Sequence, residues 1–243
     1  MIKPEQYIAA LTGVPLLKQR LESHYFALAF KENYENTLNP LENILESCEA
    51  IKGSTKLFTI LFTILNVGNT LNYGDPQRGN AFGFKLTTLA KLNDIRSSTK
   101  PVKTLMQYIC EVIYEKSPET LQIIDELRCI ENVVRTDKQI IDSLLQKLKM
   151  GSTKIKNVIE LAKKNPEDPL YDALNEFYYS VEPKIEELDQ FYNQTLSVFK
   201  DIALYLGYKE KEVANVQIQD LFKELWKFVQ SVEFNRKTLM KML

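Results

Sequence analysis

The sequence predicts an all-α fold, and three observations predict it. Apolar residues recur at spacings of three and four through most of the 243 residues, the period of helices that turn one face to a core. Glycine and proline are scarce, eight and nine in all, which disfavours turn-rich β architectures. Half of the glycines fall in one window, at Gly68, Gly74, Gly79 and Gly83. Glycine costs a helix interior roughly 1 kcal/mol relative to alanine. A cluster of it between apolar helices therefore marks a sharp turn or a close approach of another backbone.

Residues 4–12 fit a short helix, and Pro15 sits well as the first residue of a long one carrying Leu17, Leu21, Tyr25 and Leu28. Asn39-Pro40-Leu41-Glu42 reads as a fresh start, with Asn39 as N-cap and Glu42 reaching back. That helix carries Leu41, Ile44, Leu45 and Cys48 and stops near Gly53. Ser54 or Thr55 caps the next, through Leu57, Phe58, Leu61, Ile64, Leu65 and Leu71. It is apolar most of the way round, so burial on several sides is expected. A glycine-rich turn follows over 73–83, then a short helix with Leu86, Leu89 and Leu92. Pro101 opens another helix, with Val102, Leu105, Ile109, Val112 and Ile113.

From Pro118 the pattern becomes a heptad seam: Ile123, Leu127, Ile130, Val134, Asp137, Ile141, Leu144 and Leu148. Met150-Gly151-Ser152 marks its end or a weak point. Asn165-Pro166-Glu167-Asp168-Pro169 breaks the chain. A second seam then runs Leu174, Tyr178, Val181, Ile185, Leu188, Tyr192, Thr195, Phe199, Ile202 and Leu206. Pro183 inside it is expected to kink or split it, and Gly207 to end it. A last amphipathic helix carries Leu221, Leu225, Phe228, Val232 and Leu239. The pattern predicts compact packing over about 38–117, flanked by long helices. Each of the two longest would reach roughly 45 Å, so an elongated helical rod is expected.

The remaining composition narrows the function. A net charge of −1 provides no field for nucleic acid or an anionic membrane. Cys48, Cys110 and Cys129 are odd in number and lack a CxxC spacing, so reduced, buried thiols in a cytosolic protein are expected. The segment 57–67 is too short to cross a bilayer, which takes about 20 apolar residues, and no signal peptide follows Met1. His24, the single histidine, is expected to be structural. Glu186-Glu187 and Glu210 with Glu212 read as solvated faces. GNAFGFK is not a phosphate loop, since leucine follows its lysine and a helix precedes it. Lys147, Lys149, Lys154, Lys156, Lys163 and Lys164 read as a solvated face rather than a patch for an acidic partner. No catalytic residue, metal site or cofactor is expected, and an enzyme has no constellation behind it.

Gly68-Asn69-Thr70-Leu71-Asn72, followed by the glycine-rich turn and by Gly83-Phe84-Lys85-Leu86-Thr87-Thr88-Leu89-Ala90-Lys91-Leu92-Asn93-Asp94, resembles the signature of the formin homology-2 domain. That family shows GN-aromatic-MN and then GFKL-x-x-L-x-KL-x-D. Leu71 stands for its methionine; Thr70 replaces its aromatic, a departure that alters a pocket wall. Pro4-Glu5-Gln6-Tyr7, Val14-Pro15-Leu16-Leu17 with Arg20-Leu21, Tyr205-Leu206-Gly207-Tyr208 and Leu221-Phe222 extend the resemblance along nearly the whole chain.

The resemblance implies an actin-assembling module, working at filament barbed ends in the cytoplasm. It implies a head-to-tail dimer in which the lasso of one subunit wraps the post of the other. The family's tryptophan-bearing lasso, its linker, its early knob helices and its proline-rich profilin-binding segment find no match here. The chain then reads as 1–37, knob remnant and connecting helix; 38–117, post core; and 118–243, long helices returning along the rod. By match, Gly68, Asn69, Leu71, Asn72, Gly79, Gly83 and Phe84 line the lasso-docking site, and Arg96, Lys85 and Lys91 contact actin. A helical tether using the two seams is the alternative.

Overall fold

This computed structural model describes Gln6, Leu11, residues 14–163 and residues 168–242. The short helix expected over 4–12, Gln6 and Leu11 apart, and positions 165–167 of the expected break lie outside the described residues. Among the described residues the regular elements are helical: α1 (Leu17–Gly53), α2 (Thr55–Leu71), α3 (Thr88–Lys91), α4 (Leu105–Lys116), a 3-10 turn (Pro118–Leu121), α5 (Ile124–Leu127), α6 (Ile130–Val133), α7 (Lys138–Ala162), α8 (Pro169–Tyr205), α9 (Glu210–Val213) and α10 (Ile218–Met242). A single antiparallel bridge pairs Arg96 with Thr104. The all-α expectation holds. The chain forms two compact units, one of Met1–Asn39 with Gln139–Asn193, the other of Pro40–Lys138 with Gln194–Leu243. The second unit thus takes in 118–138 and the C-terminal helix besides the 38–117 stretch.

In the first unit α1 buries Ser23, Phe26, Phe30, Asn33 and Thr37, while Leu21, Tyr25 and Leu28 stay exposed. The apolar row expected on this helix is therefore not the buried one; a mixed row of two phenylalanines with Ser23, Asn33 and Thr37 is. Phe26 and Phe30 meet Phe177 of α8 edge-on, with ring centroids 6.2 and 5.9 Å apart. That aromatic cluster buries more area per residue than the aliphatic row could. Asn33 and Thr37 are satisfied inside the helix, donating to the carbonyls of Ala29 at 2.8 Å and Asn33 at 2.7 Å. His24 is exposed rather than partly buried.

Gly151 neither ends nor weakens α7. A Cβ there would lie 2.1 Å from Cε2 of Phe26, so glycine is what lets this ring lie against the helix. The buried row runs on through Ser152, Ile155, Val158 and Ile159. Lys149 pairs with Asp189 at 2.6 Å, and Tyr192 donates to Asp142 at 2.6 Å, so α7 and α8 are tied along their flanks.

Both interior prolines are carried through. Asn39 caps nothing, because α1 continues past Pro40. Proline removes one helical hydrogen bond, but Thr37, Leu41 and Ile44 around it are 0–1% exposed, and tertiary burial overrides the local break. Pro183 likewise does not split α8. The second seam is buried as expected at every position but Tyr192, which is half-buried.

The second unit centres on α10, which packs on α3, α4, α5, α6 and the 3-10 turn through Leu221, Phe222, Leu225, Val229 and Val232. The first seam is not one helix. The 3-10 turn, α5 and α6 are single turns joined by irregular residues; Ile123, Leu127 and Ile130 of the seam are fully buried, whereas Val134 and Leu144 are half-buried and Val133 takes the core position instead. A heptad count cannot separate a straight helix from successive turns that wrap a core. The helix expected from Pro101 begins instead at Leu105. Thr104 and Gln107 close a capping box, Gln107 N–H to Thr104 Oγ1 at 3.1 Å and Thr104 N–H to Gln107 Oε1 at 2.8 Å. Ser54, not Thr55, caps α2, accepting from Leu57 N–H at 3.0 Å.

Gly207 ends α8 at φ +90°. Its N–H bonds to the Leu204 carbonyl and that of Tyr208 to Ala203, the two bonds of a Schellman motif. Burial pushes the Cys48 and Cys110 thiols up to about 12, which leaves no thiolate nucleophile at neutral pH. Cys129 is half-buried. Among the described residues no helix by itself is long and apolar enough to cross a membrane.

Candidate functional site

All the residues singled out at 68–96 lie in the second unit, and α2 positions the first of them. Only Leu57, Ile60 and Ile64 of this helix are buried, so the expectation of burial on several sides is wrong. Phe58 and Phe62 are more than half exposed. Their rings stack one turn apart, with centroids 6.2 Å apart and planes 9° from parallel. At about 100° per residue, Phe58, Phe62, Leu65, Asn69 and Asn72 fall within roughly 80° of one another. The outer face of α2 thus leads directly into the GN-x-x-N segment.

The turn beyond is built from its own side chains. Asp75 Oδ1 accepts from Gln77 N–H at 2.8 Å and Arg78 N–H at 3.1 Å. Gly74 takes φ +83°, a region that side chains resist. A Cβ on Gly79 would lie 2.8 Å from the Asp75 carbonyl oxygen and 2.9 Å from that of Asn72, so Gly79 serves the turn itself. Asn69 does too. Its Oδ1 accepts from Ala81 N–H at 2.8 Å and its Nδ2 donates to the Ala81 carbonyl at 3.0 Å. One acceptor and one donor position of the Asn69 amide are thus taken by its own chain.

Gly68 and Gly83 differ from Gly79. A Cβ at either would meet nothing within 4 Å, so the fold does not need glycine there and leaves open space over both. Around them Leu71 is 65%, Tyr73 91% and Phe82 104% exposed, while Asn72 and Phe84 are half-buried. Sequence reasoning missed Phe62, Tyr73 and Phe82 and assigned Phe58 to the core. The all-round apolar character of α2 was their signal, since a helix with one buried face and one docking face gives the same pattern.

The cations stand nearby in the chain. Lys85 precedes α3, Lys91 ends it, and Arg96 begins the bridged loop that returns at Thr104. All three are exposed, and none forms an ion pair with a described residue. The loop is clamped at its base by Ser97 N–H to the Lys103 carbonyl at 2.9 Å and Leu105 N–H to the Ile95 carbonyl at 2.8 Å. Among the described residues no group of three His, Cys, Asp or Glu could hold a metal ion. The segment offers exposed apolar and aromatic side chains and, nearby in the chain, cations without an ion pair among the described residues, a composition that suits a binding surface.

The family profile of the Formin Homology 2 Domain matches residues 1–233. The chain is 28% identical to Formin-like protein 18 of Arabidopsis thaliana over 250 residues, 98% of this chain and 21% of that protein. It is 25% identical to Protein diaphanous homolog 3 of Homo sapiens over 245 residues, 98% of this chain and 20% of that protein. With Disheveled-associated activator of morphogenesis 1 of Mus musculus it shares 26% over 235 residues, 96% of this chain and 21% of that protein. The chain therefore spans about a fifth of the length of these relatives.

Proposed function

This chain belongs to the formin homology 2 family, and from that premise we propose that it is an actin-binding part of a formin's actin-assembly module, acting in the cytoplasm on the actin cytoskeleton. The observation that carries the reading is the outer face of α2. Phe58 and Phe62 leave two large apolar side chains more than half exposed on this face, and Leu71, Tyr73 and Phe82 leave three more at the helix end and in the turn beyond; exposed apolar groups of this kind mark interaction surfaces. A second formin homology-2 subunit docks its lasso on this face, over the open positions at Gly68 and Gly83 and against Asn72 and Phe84. Asn69 and Gly79, also of that docking site, hold the receptor turn in shape.

Arg96, with Lys85 and Lys91, meets the acidic surface of actin. These 243 residues hold the receiving half of the subunit interface, so alone they bind actin without closing a ring or nucleating efficiently. Profilin is engaged only through other segments of such proteins. The tether reading needs a seam left open for a partner, whereas Leu174, Val181, Ile185 and Leu188 of the second seam are buried within the chain.

Co-sedimentation with filamentous actin tests the reading. The chain should pellet with filaments, and Arg96→Glu should weaken that about tenfold, about 1.4 kcal/mol, as loss of a charged anchor does. Equal pelleting of the two, or rapid pyrene-actin assembly seeded by nanomolar chain, would count against it.

A further inference from the structure

A kinase that prefers cationic substrates needs an arginine two or three positions before the acceptor, a hydroxyl not already engaged, and an exposed acceptor whose backbone is not held in a helix. Four hydroxyl residues follow an arginine at that spacing: Ser23 after Arg20, Ser98 and Thr99 after Arg96, and Thr238 after Arg236. The fold removes two of them. Ser23 is 3% exposed within α1, and Thr238 donates to the Phe234 carbonyl at 2.9 Å inside α10. Ser98 and Thr99 are exposed and lie outside any helix.

Ser97 separates itself from its neighbours. Its hydroxyl donates to the Thr99 carbonyl and accepts from Lys103 N–H, both at 3.1 Å, so it is part of the loop's frame. The hydroxyls of Ser98 and Thr99 make no hydrogen bond to a described residue. They sit at the tip of a loop held at its base by the Arg96 and Thr104 bridge. Lys100 adds a second exposed cation, while Lys103 is occupied by Glu111 at 2.7 Å.

We propose that Ser98 and Thr99 form the acceptor site of a basophilic serine/threonine kinase, and that the phosphate placed there captures the Arg96 side chain. The acceptor oxygen attacks the γ-phosphorus of ATP, the bond from that phosphorus to the β,γ-bridging oxygen breaks, ADP leaves and the hydroxyl proton passes to the kinase's base. The product carries about −1.5 to −2 charge and three acceptor oxygens, on a stretch whose arginine has no other ion pair. A guanidinium and a phosphate pair well, so Arg96 is withdrawn from any external acidic surface. This consequence rests on the actin-contact reading of Arg96; the acceptor site does not.

The test uses the 243-residue chain with ATP, magnesium and the catalytic subunit of cyclic-AMP-dependent protein kinase. Fragment-ion mass spectrometry should place phosphate on Ser98 or Thr99. The Ser98→Ala/Thr99→Ala variant should lose it, and Arg96→Ala should slow incorporation about tenfold, about 1.4 kcal/mol of recognition. Phosphate found only elsewhere, or none on folded chain, overturns the site. Pelleting with filamentous actin separates the two readings. Phosphorylation should weaken pelleting about tenfold, and undiminished pelleting of mapped phosphoprotein overturns the capture of Arg96. An unmodified chain that never pellets defeats the actin reading alone and leaves the mapped acceptor site standing.

Discussion

The side-chain amide of Asn69 brackets the backbone of Ala81, accepting its N–H at 2.8 Å and donating to its carbonyl at 3.0 Å. A single residue at the end of α2 thereby closes the loop that returns from the glycine-rich turn. The most recognisable asparagine of the motif works inward, and the surface it supports is made by its neighbours.

Asn69→Ala should therefore release residues 73–83 without unfolding the unit. The two lost hydrogen bonds are worth about 1 kcal/mol each. Hydrogen exchange at the Ala81 amide should speed up by an order of magnitude or more while α10 stays protected. Unchanged exchange at Ala81 would falsify the clamp.

Gly68 and Gly79 should respond oppositely to alanine. Gly79→Ala places a methyl 2.8 Å from a backbone oxygen and should destabilise by about 1–3 kcal/mol. Gly68→Ala meets nothing within 4 Å, so it should hold or raise stability by up to about 1 kcal/mol. It should still weaken docking of a second subunit, because the methyl occupies space the guest needs. Thermal melts beside a pull-down with a complete formin homology-2 domain separate these effects, and a stable Gly68→Ala chain that docks normally would contradict the docking site.

Phe58→Ser with Phe62→Ser should leave the melting temperature within a few degrees, since both residues are more than half exposed. The same pair should abolish capture by a complete domain and reduce self-association at high concentration. A large loss of stability instead would mean that the two rings serve the fold.

Phe26 and Gly151 form the matching relationship in the other unit. Gly151→Ala puts Cβ 2.1 Å from the ring and should cost about 1–3 kcal/mol by overpacking. Adding Phe26→Leu should recover part of that loss. A double variant no better than the single one in urea titrations would locate the strain elsewhere.

Arg236, at 2.7 and 2.9 Å, holds the Glu233 carboxyl below its ordinary range, with burial opposing and Lys237 assisting. The folded state thus holds fewer protons on Glu233 than the unfolded one. Its contribution is present above the usual glutamate value near 4.3 and is lost as pH falls through the folded value. Glu233→Gln should lower stability by about 1–2 kcal/mol at neutral pH, and the gap should close as pH falls through the folded value. A pH-independent gap would assign the effect to packing.

Local patterns were legible where spacing along one element or the chemistry of one turn decides the outcome. The second seam, the cap at Ser54, the terminator at Gly207 and the core face of α10 depend on spacing and on turn chemistry, and both are written in the chain. The GN-x-x-N and GFKL residues likewise sufficed to name the family. The order of residues could not say which row on α1 is buried. Nor could it show that 118–134 is broken into single turns instead of forming one regular helix, or that α2 keeps an exposed aromatic face. Apolarity is a property of a side chain, whereas burial belongs to a pair of surfaces, and the second surface is known only once the chain has packed. Phe177 chooses Phe26 and Phe30, Gly151 admits the ring, and Ala81 occupies Asn69; each outcome rests on a partner distant in sequence. The docking face stands out for the same reason, as the apolar row of α2 for which the described chain supplies no partner.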